Sequence, residues 1–223
     1  MENTGKPGKC ILVCAGHFDE PSLPREAGDF LIAADNGLAY LKKIGAEPDL
    51  ILGDFDSLEE EDRPLLEKYA DRVLRLPVEK DDTDSLAAAR EGLRRGYRHF
   101  VLYGAAGGSR LDHTLANLQT LLFLKRSGAD AVMIDGGTQI RILENEELHF
   151  PAGTRGGFSV FALEKEGCSL TIRGMYYEAQ NLPLCNDYPI GVSNSFLPEK
   201  EAVVKVQGTP ALAVIRYEQQ DPV

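Results

Sequence analysis

Six short apolar runs, each about the length of one strand and none alternating cleanly with polar residues, set the limits on what this chain can fold into. They are Cys10 to Gly16, Asp29 to Asp35, Pro48 to Asp54, Arg72 to Pro77, His99 to Gly107 and Asp130 to Gly136. A strand wetted on one face alternates, whereas a continuous apolar run of this length suits a strand covered on both. The stretches between the runs have helical spacing. Asp82 or Thr83 can cap a helix with Leu86, the aliphatic stem of Arg90 and Leu93 on one side, ending at Arg94, Arg95 and Gly96. Asp112 can cap another with Leu115, Leu118 and Leu122 on one stripe, ending at Lys125, Arg126 and Gly128. Strands alternating with helices imply an α/β fold with a mostly parallel sheet flanked by helices.

The texture changes after Gly137. Gln139 to Gly153, Gly156 to Gly167, Cys168 to Glu178 and Ala202 to Glu218 show period-two patterning, glycine-containing turns and few helix formers, which reads as an antiparallel β domain. The expected organisation is an α/β domain over residues 1–137 and a smaller β domain over 138–223. Ala179 to Leu197, rich in Asn, Pro and Ser, reads as a long functional loop or a separate edge hairpin.

Composition narrows the class of partner. Hydrophobic residues are 43% and charged residues 26% of the chain, near globular averages. Lys plus Arg number 24 against 35 Asp plus Glu, a net charge of −11, which disfavours nucleic-acid backbones and anionic membrane surfaces. A local cleft can still hold a small anion. Cys10, Cys14, Cys168 and Cys185 form no CxxC pair and no dense framework, as expected of free thiols in a reducing compartment. With no export signature and no run of ~18 apolar residues, a cytoplasmic protein is expected.

In an open parallel sheet, ligands bind outside the carboxyl ends of the strands, so the residues closing each run come first. The third run closes in Gly53-Asp54-Phe55-Asp56-Ser57. In extended backbone Asp54 and Asp56 share a face, roughly 6 to 7 Å apart. The fourth is followed by Lys80-Asp81-Asp82-Thr83-Asp84, and the fifth by a glycine-rich turn from Gly104 through Gly107 and Gly108 into Arg110-Leu111-Asp112-His113. Mg²⁺ takes oxygen ligands, commonly one or two carboxylates with waters and substrate phosphates, and Asp54, Asp56, Asp84 and Asp112 could supply that shell. A glycine-rich turn opening a helix, with the planar fork of Arg110, could cradle phosphates. Each element also has a plainer reading as a solvated turn, a helix cap or a tight turn. Their succession after three strands of one sheet favours a site.

These motifs, GDFDS, then KDDTD, then a glycine-rich turn into RLDH, resemble thiamine pyrophosphokinases, and ADNG at Ala34 to Gly37 is similar to that family's first loop. The resemblance covers the whole chain and implies an α/β domain binding ATP and Mg²⁺, followed by a smaller β-sandwich that binds thiamine. It implies a homodimeric enzyme that transfers pyrophosphate from ATP to the hydroxyethyl group of thiamine, giving thiamine diphosphate and AMP. It places Asp54, Asp56 and Asp84 on metal and phosphate positions, and Asp35, Asn36, Lys80, Asp81, Thr83, Gly107, Arg110 and His113 around the nucleotide. Arg110 and Asp112 fall in the nucleotide-phosphate loop. Gly174-Met175-Tyr176-Tyr177 and Gly191-Val192-Ser193-Asn194 resemble the thiamine-site segments, which makes Tyr177, Ser193 and Asn194 the substrate-binding candidates. Some relatives carry Trp where Tyr177 stands; this chain has no Trp, and a tyrosine ring still offers a π face to a cationic heterocycle.

The implied mechanism is in-line attack of a primary alcohol on the β-phosphorus of ATP, with Asp112 or Asp84 accepting the alcohol proton. Rivals remain. The same phosphate machinery would serve a pyrophosphokinase for another alcohol, such as a hydroxymethylpterin; GDFDS could belong to an aspartyl-phosphatase with Asp54 as nucleophile; and the clefts could serve a non-catalytic nucleotide or thiamine sensor.

Overall fold

In a computed structural model, which describes residues 6–56, 58–77 and 81–218, the chain divides by its internal contacts into two units, Met1–Gly136 and Gly137–Val223. The first unit runs β1 (Cys10–Val13), β2 (Phe30–Ala34), α1 (Gly37–Ile44), β3 (Leu50–Gly53), α2 (Arg63–Lys68), β4 (Val73–Arg75), α3 (Asp84–Arg94), β5 (His99–Tyr103), α4 (Leu111–Arg126) and β6 (Asp130–Asp135). All six expected strands are present. They lie in the order β6-β5-β1-β2-β3-β4, every pair parallel. The central strands are buried along nearly their whole length, which is why they read as continuous apolar runs; β4, at the edge, has Val73 half-buried and Leu74 and Arg75 exposed.

Alternate residues of the strands face opposite layers. Ile11, Val13, Leu31, Ala33 and Ile51 pack with Leu38 and Leu41 of α1. Cys10 and Phe100 point the other way, onto α3, where a Cβ on Gly92 would come within 2.6 Å of the Phe100 ring and 2.7 Å of Cys10 Sγ. That approach corrects the expected stripe on α3. Its buried face is Ser85, Ala88, Ala89 and Gly92, while Leu86, Arg90 and Leu93 lie to the side, because a helix this close to the sheet needs small residues in the contact. The stripe on α4 is also displaced: Asn117, Thr120, Leu121 and Leu124 are buried, Leu118 and Leu122 only half so, and Leu111 and Leu115 are exposed. Apolar and polar residues are distributed around this helix and not segregated to opposite faces, so periodicity does not select the inner face.

The second unit is antiparallel and comprises β7 (Thr138–Leu143), β8 (Glu146–Phe150), β9 (Gly156–Ala162), β10 (Cys168–Arg173), β11 (Ala179–Leu184), β12 (Asn194–Ser195), β13 (Ala202–Gly208) and β14 (Ala211–Tyr217). One layer has the order β12-β9-β14-β7 and the other β11-β10-β13-β8. Phe158, Val160 and Ile215 from the first layer share a core with Leu170, Ile172, Val204 and Val206 from the second, so the unit is a β-sandwich. The segment from Ala179 to Leu197 is neither a single loop nor one hairpin. It supplies the edge strand β11, crosses over, and supplies the short edge strand β12 of the opposite layer.

Candidate active site

Strand β1 pairs with β2 on one side and β5 on the other, so the chain leaves the middle of the sheet in both directions. At such a switch point the connections diverge and leave a crevice beyond the carboxyl ends of the strands. A cleft of about 330 Å³ lies there, lined by Cys14 to Gly16 after β1, Asp35 and Asn36 after β2, Thr83 to Ser85 at the start of α3, and Gly107 to Arg110 after β5.

Backbone hydrogen bonds fasten the β1 and β5 loops together: Cys14 N donates to Tyr103 O at 2.8 Å, Gly16 N to Gly104 O at 2.6 Å and His17 N to Ala106 O at 3.0 Å. Gly104 makes this approach possible. Its φ is +59°, and a Cβ there would lie 2.5 Å from the Cys14 carbonyl oxygen.

The acidic group on the rim is assembled by backbone conformation. Asp35, directly after β2, has φ +50°, and its N–H donates to Leu52 O at 2.8 Å, which ties it to the end of β3. Phe55 has φ +63° with its side chain buried, and Asp56 N donates to Asp54 Oδ1 at 3.2 Å. Asp54 and Asp56 therefore meet through a turn and not through the shared face of an extended strand. Left-handed conformations at non-glycine residues carry strain and persist where the surroundings enforce them, here the buried Phe55 ring and the β2–β3 pairing. The outcome is that one carboxylate oxygen each from Asp35, Asp54 and Asp56 lie within 4.8 Å of one another. Three oxygen donors at this spacing fit a hard cation such as Mg²⁺. Asp84, expected among the metal ligands, lines the cleft but falls outside this trio.

Asp84 is the first residue of α3, held by a polar joint. Thr83 is the cap, its hydroxyl accepting from Leu86 N at 3.2 Å and meeting Ser85 Oγ at 3.1 Å. Ser85 Oγ donates to Asn117 Oδ1 at 2.5 Å, and Asn117 Nδ2 donates to Ala105 O at 2.7 Å. Ser85, Asn117 and Ala105 are buried, so this joint locks α3, α4 and the β5 loop together beneath the cleft. Cys14, beside it, is held neutral: burial pushes its thiol up to about 12, and the charge of Asp84 pushes the same way.

On the opposite lip, Arg110 Nε and Nη2 donate to the two oxygens of Asp112 at 3.0 and 2.6 Å. This fork holds the Asp112 carboxyl down to about 2. Asp112 sits within the first turn of α4 and is not the cap expected of it, because the helix already begins at Leu111 with Arg110 in the cap position. Asn36, Thr83, Gly107 and His113 line the cleft; Asp81 is exposed and is not among the lining residues, and Lys80 lies outside the described residues.

In the second unit a smaller cavity of about 220 Å³ is bordered by Ser193, Asn194, Ser159 and Arg216. Asn194 is buried, and its amide is committed to the backbone: Nδ2 donates to Tyr177 O at 2.8 Å, while Oδ1 accepts from Tyr177 N at 3.0 Å and Ser195 N at 2.9 Å. It clamps the turn that presents Tyr176 and Tyr177, which are 68% and 64% exposed with rings edge-to-face at 4.8 Å. Ser193 holds a left-handed φ of +63°, its N–H donating to Ser159 Oγ at 3.1 Å.

Sequence reasoning passed over Asn117, Ser85, His17 and Asp135. An acidic strand end at Asp135 and a histidine just after the first run at His17 were the available signals; Asn117 sits in mid-helix, where no local pattern marks it.

Residues 25–140 match the family model described as thiamin pyrophosphokinase, catalytic domain. The thiamine pyrophosphokinase of Bacillus subtilis is 27% identical over 194 residues, 86% of this chain and 87% of that protein. Among solved structures, that of Bacillus subtilis thiamine pyrophosphokinase superposes with a TM-score of 0.80 at 22% identity, covering 95% of this chain and 100% of its own. A thiamin pyrophosphokinase family protein from Enterococcus faecalis gives 0.78 at 25% identity over 95% and 100% of the two chains. The Candida albicans thiamin pyrophosphokinase keeps a TM-score of 0.77 at 14% identity, over 94% and 90%.

Proposed function

Because this chain belongs to the thiamin pyrophosphokinase family, we propose that the cleft at the β1/β5 switch point binds ATP and that the first unit carries out pyrophosphoryl transfer to thiamine bound by the second. The reaction is formation of thiamine diphosphate from thiamine and ATP, with AMP released. The alcohol oxygen of the hydroxyethyl group forms a bond to the β-phosphorus, the bond from that phosphorus to the oxygen bridging to the α-phosphate breaks, and the alcohol proton passes to a base.

The observation that carries this reading is the trio Asp35, Asp54 and Asp56 at the rim of a cleft whose other lip is the glycine-rich turn and Arg110. These carboxylates would hold Mg²⁺, which when bound offsets the charge on phosphate oxygens. The chain's own groups do the positioning. Gly107 and Gly108 let phosphates approach the backbone closely, Arg110 supplies a planar cation, and the Thr83 cap fixes Asp84 at the cleft wall. Of the two candidate proton acceptors, Asp84 is favoured, since a carboxylate held at about 2 by Arg110 is a weak base. Tyr177, set by Asn194, offers its ring to the cationic heterocycle, and Ser193 its hydroxyl. A homodimer working in the cytoplasm completes the proposal; the free thiols support a reducing compartment.

The test is to incubate the purified protein with ATP, Mg²⁺ and thiamine and to follow AMP and thiamine diphosphate by chromatography. Equimolar AMP and thiamine diphosphate, both absent without thiamine, are expected. AMP formed only with another alcohol would preserve the first unit's chemistry and overturn the acceptor. Asp54→Asn and Asp84→Asn should each abolish turnover in folded protein; wild-type rates in both would overturn the role assignment.

A further inference from the structure

His17 follows β1 in the loop fastened to the β5 turn, and its ring is held at both nitrogens. Nδ1 lies 3.1 Å from Asp135 Oδ1 at the end of β6, and Nε2 lies 2.9 Å from Asp19 Oδ2 in its own loop. A neutral imidazole carries a single N–H and can donate to just one of them, leaving the second nitrogen's lone pair facing a carboxylate; an imidazolium donates to both. The arrangement therefore calls for the charged ring, and the shift agrees: the hydrogen bond to Asp135, then the charge of Asp19, raise the His17 pKa.

Gly107 rests on this joint. With φ +68°, a Cβ at Gly107 would come within 2.9 Å of the His17 Cβ and 3.8 Å of Asp135 Oδ2, and Gly107 and Gly108 both line the cleft. Among the described residues, no side-chain cation acts on the ring. The β5–α4 turn presents the backbone of Gly107 and Gly108, and Tyr40 of α1 is turned to the Gly16 carbonyl, to which its hydroxyl donates at 2.6 Å. The charged groups recorded against the imidazole are Asp135 and Asp19.

We propose that His17 is a positioning residue for nucleotide binding: as imidazolium it straps the β1 loop to the end of β6 and so fixes the Gly107–Gly108 turn against which the phosphates lie. This rests on the ATP reading of the cleft. The sign follows from linkage. A group whose pKa is raised in the folded protein contributes fully below its ordinary value and loses that contribution as pH rises through the raised one. Nucleotide affinity should accordingly fall on the alkaline side of the imidazole range.

The experiment measures affinity for a non-hydrolysable ATP analogue with Mg²⁺ by calorimetry, for wild type, His17→Gln and Asp135→Asn, at about pH 6 and about pH 8.5, either side of the imidazole range. The nucleotide's own titration is common to all three proteins and cancels in the comparison. Wild-type affinity should drop about threefold more than that of either variant, the size expected of an exposed ion-paired joint, with the variants near the wild-type alkaline value at both pH values. In parallel, the C2 proton of His17, identified as the histidine resonance lost in His17→Gln, should titrate above the ordinary imidazole range. Equal pH dependence in wild type and His17→Gln, or an unshifted His17 titration, would overturn the proposal. Thermal melts show whether the variants remain folded; should His17→Gln unfold, Asp135→Asn and the wild-type titration carry the test. Wild type that binds the analogue with this pH limb but forms no thiamine diphosphate would sink the acceptor assignment and leave the strap standing.

Discussion

Asn117→Ala should cost more than its modest change in size suggests. In the native protein its side chain donates to the Ala105 carbonyl at 2.7 Å and accepts from Ser85 Oγ at 2.5 Å, and all three residues are buried. Truncation removes both partners at once and leaves a carbonyl and a hydroxyl without water to replace them. An orphaned buried polar group costs about 1–3 kcal/mol, so the pair amounts to about 2–4 kcal/mol after allowing for relaxation of the hydroxyl toward Thr83. Against the ~5–15 kcal/mol of a typical domain this is a large fraction. Urea denaturation should show a lowered midpoint with an unchanged slope. Ser85→Ala orphans the Asn117 oxygen alone and should cost about 1–2 kcal/mol, and the double variant should cost less than the sum, because the second deletion removes a group the first had already stranded. The joint sets the start of α3, so KM for ATP should rise in Asn117→Ala even where the protein is fully folded. A stability change under about 0.5 kcal/mol, or strict additivity with Ser85→Ala, would refute the account of a locked polar joint.

Asp112→Asn should leave the pH profile of turnover unshifted between about pH 5 and 9: the folded pKa is depressed to about 2, so the charged pair exists throughout that range and is lost only in stronger acid. A lost or displaced acid limb in that variant would restore Asp112 as the base. Asn194→Ala should free the Tyr176–Tyr177 turn, raise KM for thiamine with little change in KM for ATP, and lower stability by about 1–3 kcal/mol; unchanged thiamine kinetics would remove Tyr177 from the acceptor site. Asp35→Asn should abolish most of the Mg²⁺-dependent rise in Tm while raising the Tm in chelator, since three carboxylates within 4.8 Å repel by about 1 kcal/mol per pair even with water-like screening. An equal Mg²⁺ response in wild type and Asp35→Asn would exclude Asp35 from the metal site.

The parallel sheet was legible because burial on both faces writes itself as an uninterrupted apolar run, and β1, β2, β3, β5 and β6 each carry one. The helices were legible as helices and not as faces. On α3 the informative residues are the small ones, since Gly92 must admit the Phe100 ring, and a reading that follows Leu chooses the wrong side. On α4 the buried face is partly polar, with Asn117 and Thr120 inside and Leu111 and Leu115 outside, an inversion that follows from what the helix is bonded to beneath the cleft.

The site divides along the same line. Carboxylates that follow strands can be located from sequence, because strand ends converge at one edge of the sheet by topology. Their grouping cannot, because it depends on which residues leave the extended conformation. Asp35 joins Asp54 and Asp56 through a left-handed turn at Asp35, a conformation aspartate tolerates better than most residues without being marked for it, and another at Phe55, whose residue type does not advertise it at all. Asp84, with a similar claim from sequence, sits instead at a helix start fixed by Thr83 and serves the cleft from its wall. Position along the chain thus selects the candidates, and local backbone strain, held in place by a buried Phe55 and the β2–β3 pairing, decides which of them can share a cation.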